Sequence, residues 1–373
     1  MNIFTFRTAS QIQFGRGIAR DSAASIATLG KRVLLVGGGT PARSDWLADA
    51  LDARGCTVAR FSVSGEPDVA MVQAGVEAAR SAGAQVVVSL GGGAVIDAGK
   101  AIAALVPATR DLMDHLEVVG KGLPLEAAPL PFVALPTTAG TGAEVTKNAV
   151  IGVPDAGRKV SLRDDRMLAD MAIVDPALTD GCPKSVTLAS GLDAVTQVIE
   201  PYLSTKANPL TDALCRAAIP MGLQALVRLM EGENPDARDA LAYVSLSGGL
   251  ALANAGLGAV HGLAGPIGGV SPAPHGAVCG ALLPHILRAN SARLDGDMAA
   301  RMAEVQGWID TALDGQDLAD WSRAQGLPTL GDMGLDAGQF DSVAQAAAES
   351  SSMKGNPVAL DRATLVEVLR AAA

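Results

Sequence analysis

The sequence predicts an α/β domain built on a parallel sheet, followed by an all-helical domain, with the change near residue 180. Three observations carry that prediction. Short β-branched runs alternate with helix-length segments through the first half, glycine-rich turns separate them, and strand signals nearly vanish after Pro183. At 373 residues the chain is long enough for two domains of roughly 150 residues each. We divide it at 1–180 and 181–373.

In chain order, residues 32–36 read as a buried strand, 37–40 as a glycine turn and 45–54 as a helix. Residues 58–63 give a second strand and 69–82 a second helix. Residues 85–90 are the clearest strand, followed by Gly91-Gly92-Gly93 and a helix through Leu105, and 132–135 form a further strand ending at Pro136. Sheets of this kind bind ligands at the carboxyl ends of their strands, where these glycine turns lie. In the second half, residues 188–202, 210–230, 237–263, 298–312 and 359–372 have helical character, and residues 3–14 suit an edge strand open to pairing with a second chain.

Composition narrows the function. Charged residues make up 18% against roughly 25% in an average soluble protein, and the formal net charge is −10. An acidic chain lacks the basic footprint that nucleic acid or an anionic membrane surface requires. The four cysteines form no CxxC pair and read as small core residues, which suits a reducing cytoplasm, and no apolar signal core opens the chain. Residues 241–287 contain no Asp, Glu, Lys or Arg, yet glycines and prolines break the stretch, so it reads as core helix packing rather than a bilayer span.

Two loops and one scattered set carry the chemistry. Residues 91–100 (GGGAVIDAGK) fit neither the dinucleotide fingerprint nor a P-loop, and they announce only an anion near a helix N-terminus. Residues 136–146 (PTTAGTGAEVT) place threonine hydroxyls and glycine amides on one loop. Asp193 and Gln197 are four apart on one helix face, and His261 and His275 lie in the uncharged stretch. One carboxylate, one amide and two imidazoles suit a divalent cation. His115, in a polar segment, reads as a surface residue, and His285 as a structural one.

Several of these segments together resemble one family, the iron-containing (group III) alcohol dehydrogenases, whose fold is shared with dehydroquinate synthase and glycerol dehydrogenase. The matching segments are 14–17 (FGRG), 91–100, 136–146, 175–178 (DPAL), 191–194 (GLDA), 260–263 (VHGL), 274–276 (PHG), 282–285 (LLPH) and 355–357 (GNP). The resemblance implies an N-terminal Rossmann-like nucleotide-binding domain, a helical metal and substrate domain, and an active site in the cleft between them. It implies that Gly92, Gly93 and Asp97 flank the pyrophosphate of NAD or NADP, helped by Thr137, Thr138 and Thr141, with Asn148 and Lys159 lining the cofactor cleft. NAD-preferring relatives carry an aspartate after the first nucleotide-domain strand to repel a 2′-phosphate. Here that turn holds Gly38 and Gly39, so charge excludes neither cofactor.

The family's metal ligands are one aspartate and three histidines. Asp193, His261 and His275 match, and are implied as the catalytic centre holding Fe²⁺ or Zn²⁺. Gln197 stands at the fourth position, and Gly265 replaces a second family histidine often assigned to proton transfer. The resemblance thus implies interconversion of a small alcohol and its aldehyde or ketone by hydride transfer, in a homodimer or higher homo-oligomer. Two alternatives remain open: a metal-independent keto-acid reductase of the maleylacetate type, and a nucleotide-binding protein whose catalytic centre has decayed. The absence of Arg and Lys from residues 241–287 disfavours an acidic substrate.

Overall fold

The structure is a computed structural model that describes residues 3–373. It separates into two compact units. One holds Thr8–Thr138 and Ala143–Thr179. The other holds the described residues up to Arg7, then Ala139–Gly142 and Asp180–Ala373.

The first unit runs β1 (Gln11–Phe14), α1 (Ser22–Leu29), β2 (Arg32–Gly38), α2 (Asp45–Asp52), β3 (Thr57–Val63), α3 (Val69–Ser81), β4 (Val86–Gly91), α4 (Gly93–Leu105), α5 (Leu112–His115), β5 (Phe132–Pro136), β6 (Asn148–Val153), β7 (Arg158–Arg163) and β8 (Met171–Val174). Six strands form one sheet in the order β1-β8-β5-β4-β2-β3, with every pairing parallel. The central strands are buried throughout because helices cover both faces, which is why they read as unbroken apolar runs. Strand order reverses between β2 and β4, so their carboxyl ends, Gly38 and Gly91, flank the switch point where such sheets take ligands.

Differences from the sequence expectations have local causes. The strand at 32–36 extends to Gly38, since pairing with β3 continues through Gly38↔Val63. The edge strand expected over 3–14 shortens to Gln11–Phe14, pairing with β8 at the sheet edge. Residue Arg7 instead exchanges hydrogen bonds with Asn254 (Arg7 N to Oδ1, 2.6 Å; Asn254 Nδ2 to Arg7 O, 2.8 Å). The β6–β7 hairpin escaped the sequence reading, being two short antiparallel strands joined through Pro154 and the left-handed Gly157. His115 is a correction: it is 3% exposed, with Nδ1 2.9 Å from Leu123 O and Nε2 3.4 Å from Glu126 Oε2.

The second unit is helical: α6 (Lys184–Leu203), α7 (Pro209–Glu231), α8 (Pro235–Ala255), α9 (Ala259–Val270), α10 (His275–Ser291), α11 (Gly296–Ala312), α12 (Leu318–Ala324), α13 (Phe340–Glu349) and α14 (Arg362–Ala372). A continuous apolar core joins all nine. The helix expected over 237–263 is two helices, α8 and α9, bent by 98°. Gly256 at φ +71° ends α8 in a conformation that side chains disfavour. By length and composition α7 is apolar enough to cross a membrane, and half of its most apolar 18-residue window is buried in the structure.

Candidate metal and nucleotide sites

In the helical unit, α6 presents Asp193, Gln197 and Glu200 at i, i+4 and i+7, hence on one face. His261 sits in the first turn of α9, and His275 opens α10 behind Pro274. Tight small-residue contacts set these helices: a Cβ on Gly276 would lie 2.5 Å from Ala189 O, and one on Gly258 would lie 2.9 Å from Glu200 Oε1.

Asp193 is 1% exposed, and its Oδ1 has no hydrogen-bond partner among the described residues. That oxygen stands 3.3 Å from His261 Nε2 and 3.9 Å from His275 Nε2. A buried carboxylate oxygen left unsatisfied is costly, so its position between two imidazole nitrogens fits a cation shared by all three. Burial pushes the Asp193 carboxyl up, but His261 and His275 outweigh it and hold it below its ordinary value. Charge on Cys279 leads the effects that carry His275 up to about 9, against burial. Burial opposes charge on His261 too, yet Cys279 and Glu200 raise it well above its ordinary value. The pocket favours positive charge.

Glu200 is the functional residue that sequence reasoning missed. Its Oε2 accepts from His261 Nδ1 at 2.6 Å and its Oε1 from Val260 N at 2.7 Å. One carboxylate therefore caps the α9 N-terminus and fixes the imidazole so that Nε2 faces Asp193. Asn356 Oδ1 completes the cap by accepting from Ala259 N at 3.1 Å. The i+7 spacing from Asp193 was the available signal for Glu200.

Gln197 is buried, and its Nε2 donates to Gly140 O at 2.5 Å. The segment Ala139–Gly142, which carries Thr141, is thereby tied to α6. Gly142 has φ +58°, and a Cβ there would lie 2.5 Å from Gly249 Cα on α8. Gly142→Ala should therefore meet both left-handed strain of about 1–2 kcal/mol and overpacking of about 1–3 kcal/mol. Urea unfolding should report a loss of several kcal/mol, and an unchanged midpoint would show that the segment relaxes freely.

In the α/β unit, Gly92 caps α4 without any side-chain hydrogen bond, so no side chain covers this helix start. Thr137 N donates to Gly91 O at 2.9 Å, and Thr138 Oγ1 would stand 3.3 Å from a Cβ on Gly92. Gly92, Gly93, Thr137 and Thr138 thus converge at the carboxyl ends of β4 and β5, one strand from Gly38 and Gly39 at the end of β2. Of the other expected cofactor residues, Asp97 contacts the β6–β7 hairpin, and Asn148 and Lys159 belong to it. Asp97 Oδ2 accepts from Val150 N at 3.0 Å, Asn148 O accepts from Lys100 Nζ at 2.8 Å, and Lys159 pairs with Glu66.

Lys100 is 1% exposed and satisfies all three of its donors, two on the loop after β5 (Ala143 O at 2.7 Å and Thr146 Oγ1 at 2.9 Å) and one at the start of β6 (Asn148 O). It fastens that loop to α4.

Comparison with known proteins assigns both halves of the chain. The family described as "Iron-containing alcohol dehydrogenase" matches residues 9–176, and "Fe-containing alcohol dehydrogenase family, C-terminal" matches residues 187–373. Similar curated proteins include a 1,3-propanediol dehydrogenase of Klebsiella pneumoniae, 34% identical over 89% of this chain and 91% of its own. Alcohol dehydrogenase 4 of Saccharomyces cerevisiae (strain YJM789) is 32% identical over 86% of this chain and 85% of its own. Among solved structures, a 1,3-propanediol oxidoreductase superposes with a TM-score of 0.90 at 30% identity, covering 100% of both chains.

Proposed function

Because the chain belongs to the iron-containing alcohol dehydrogenase family, we propose that it interconverts a small alcohol and its aldehyde or ketone, exchanging a hydride with NAD or NADP with the help of a divalent metal. The observation that carries this reading is the buried, unsatisfied Asp193 Oδ1 facing His261 Nε2 and His275 Nε2. Asp193, His261 and His275 would hold Fe²⁺ or Zn²⁺, which supplies Lewis-acid polarisation of the alcohol or carbonyl oxygen.

The chain's own residues prepare the rest. Asp193 brings negative charge, and Glu200 holds His261 in one tautomer. The uncapped start of α4, with Gly92, Gly93, Thr137 and Thr138, suits the pyrophosphate of the dinucleotide. Lys100 keeps the threonine loop in place, while Asp97, Asn148 and Lys159 shape the hairpin beside it. Gly265 brings no proton-carrying side chain to α9. The exposed sheet edge at β1 supports assembly as a homodimer or higher homo-oligomer, and four free cysteines suit a cytoplasmic enzyme.

Metal-reconstituted protein should oxidise NADH or NADPH in the presence of small aldehydes. Cofactor binding with no turnover across an aldehyde panel would instead favour a decayed catalytic centre, and full activity after thorough chelation would remove the metal from the scheme.

Cofactor choice has its own test. A Cβ on Gly38 would meet nothing within 4 Å, so a side chain can be introduced there without a clash at its first carbon. Gly38→Asp should lower kcat/KM with NADPH by about 10-fold or more, the equivalent of about 1.4 kcal/mol of repulsion of the 2′-phosphate, and leave NADH rates nearly unchanged. Equal losses with both cofactors would place the adenosine ribose elsewhere.

A further inference from the structure

Among the described residues, four donor atoms cluster in this pocket, Asp193 Oδ1 included. Cys279, fully buried and one helical turn after His275 on α10, has its Sγ 3.7 Å from His261 Nε2 and 3.7 Å from His275 Nε2. With Asp193 Oδ1 at 3.3 and 3.9 Å from the same two nitrogens, all four atoms lie within 4.8 Å of one another. In a tetrahedral zinc site with Zn–S of about 2.3 Å and Zn–N or Zn–O of about 2.0 Å, S and N donors stand about 3.5 Å apart and N and O donors about 3.3 Å. The four printed separations match those edges to within a few tenths of an ångström to about half an ångström. The sequence reading had placed Cys279 among the inert core cysteines. Cys279 is buried in that core, and helix α10 turns its sulfur into the same pocket as His275.

A carbonyl oxygen only accepts, so the bond to Gly140 O commits the amide nitrogen of Gln197 to the loop. What remains is one neutral amide oxygen, a poor donor for a borderline-soft cation beside a thiolate.

We propose that Cys279 is the fourth ligand of this centre, so that Asp193, His261, His275 and Cys279 hold the ion while Gln197 positions the Gly140 loop. The inference rests on the reading of this pocket as a metal centre. Its chemical consequence is selectivity: a thiolate with two imidazoles and a carboxylate favours Zn²⁺ over Fe²⁺, and two anionic donors balance both charges of the ion. The site thus compensates on α10 for the imidazole that α6 does not supply.

Anaerobic titration of the metal-stripped full chain with Co²⁺ tests this by absorption spectroscopy, followed by displacement with Zn²⁺. The expected result is one Co²⁺ per chain, with visible bands of a tetrahedral ion and an intense near-ultraviolet thiolate-to-cobalt band. Cys279→Ser should lose the near-ultraviolet band and weaken Zn²⁺ retention beyond the ~10–100-fold that follows loss of an outer hydrogen-bond partner. Gln197→Ala should keep the band. One Co²⁺ bound to the wild type without a thiolate band overturns Cys279 as ligand and leaves the metal centre standing. No Co²⁺ bound at all overturns both readings. Should Cys279→Ser fail to fold, the wild-type spectrum decides alone, because Cys56, Cys182 and Cys215 stand outside the cluster.

Discussion

Asp193→Asn should yield a folded chain that retains no more than traces of metal and reduces aldehydes with kcat/KM lowered by about 10³-fold or more. Asparagine matches aspartate in shape, so packing in the all-buried environment of α6 is preserved and only the charge is lost. Lewis-acid stabilisation is worth several kcal/mol in the transition state, and about 4 kcal/mol corresponds to about 10³ in rate. A second readout separates metal loss from misfolding. An ion that binds only the native state at 100 times its Kd stabilises it by about 2.7 kcal/mol, which is about 5–10 °C in the melting temperature of a unit this size. Chelation should therefore lower the melting temperature of the wild type by that amount and leave Asp193→Asn unchanged. A wild-type transition indifferent to chelator, or a fully active Asp193→Asn, would refute the assignment.

The legibility of this site in the sequence divides along one physical line. Periodicity and turn chemistry report on single elements, and where an expectation concerned the placement of a single element the structure agrees with it. The buried strand and glycine turn at 86–93 form the β4–α4 junction, and Asp193 with Gln197 share a helix face. What stayed hidden was contact between elements distant in the chain. Glu200 meets His261 across 61 residues, and Cys279 meets His261 across 18, contacts that helical spacing from Asp193 or His275 could suggest but not establish. Gln197 stands at a ligand position of the family motif, and the motif gave no sign that its amide nitrogen donates to a loop 57 residues away. The hairpin at 148–163 was lost for a different reason: its strands are short, and their pairing with each other, apart from the main sheet, leaves little apolar signature.

Glu144→Gln should remove a pH dependence of stability that the wild type carries between about pH 4.5 and 7. Glu144 is 2% exposed in the turn after β5, and burial pushes its carboxyl up to about 7, opposed only weakly by its own backbone amide and by Lys100. The folded value lies above the unfolded one, so the native chain holds a proton that the unfolded chain releases. Stability is therefore full below the unfolded value and declines as pH rises through the folded value, by about 3 kcal/mol at most for a shift of this size. Lys100 acts in the opposite sense. Burial lowers it from 10.5 to about 8, with Asp97 and Glu144 pulling it partly back. Its contribution is present above the unfolded value and is lost as pH falls through about 8. Between about pH 7 and 8 both groups are charged within the loop that Lys100 fastens to α4, and the two limbs meet in a shallow minimum. Urea unfolding at pH 5 and pH 8 distinguishes the cases. Wild type should lose more stability between those values than Glu144→Gln, whose excess over wild type should grow with pH to about 3 kcal/mol at pH 8. Parallel behaviour of the two proteins would mean that the buried carboxylate finds compensation from solvent, and that the loop beneath the proposed cofactor site is looser than its hydrogen bonds to Lys100 imply.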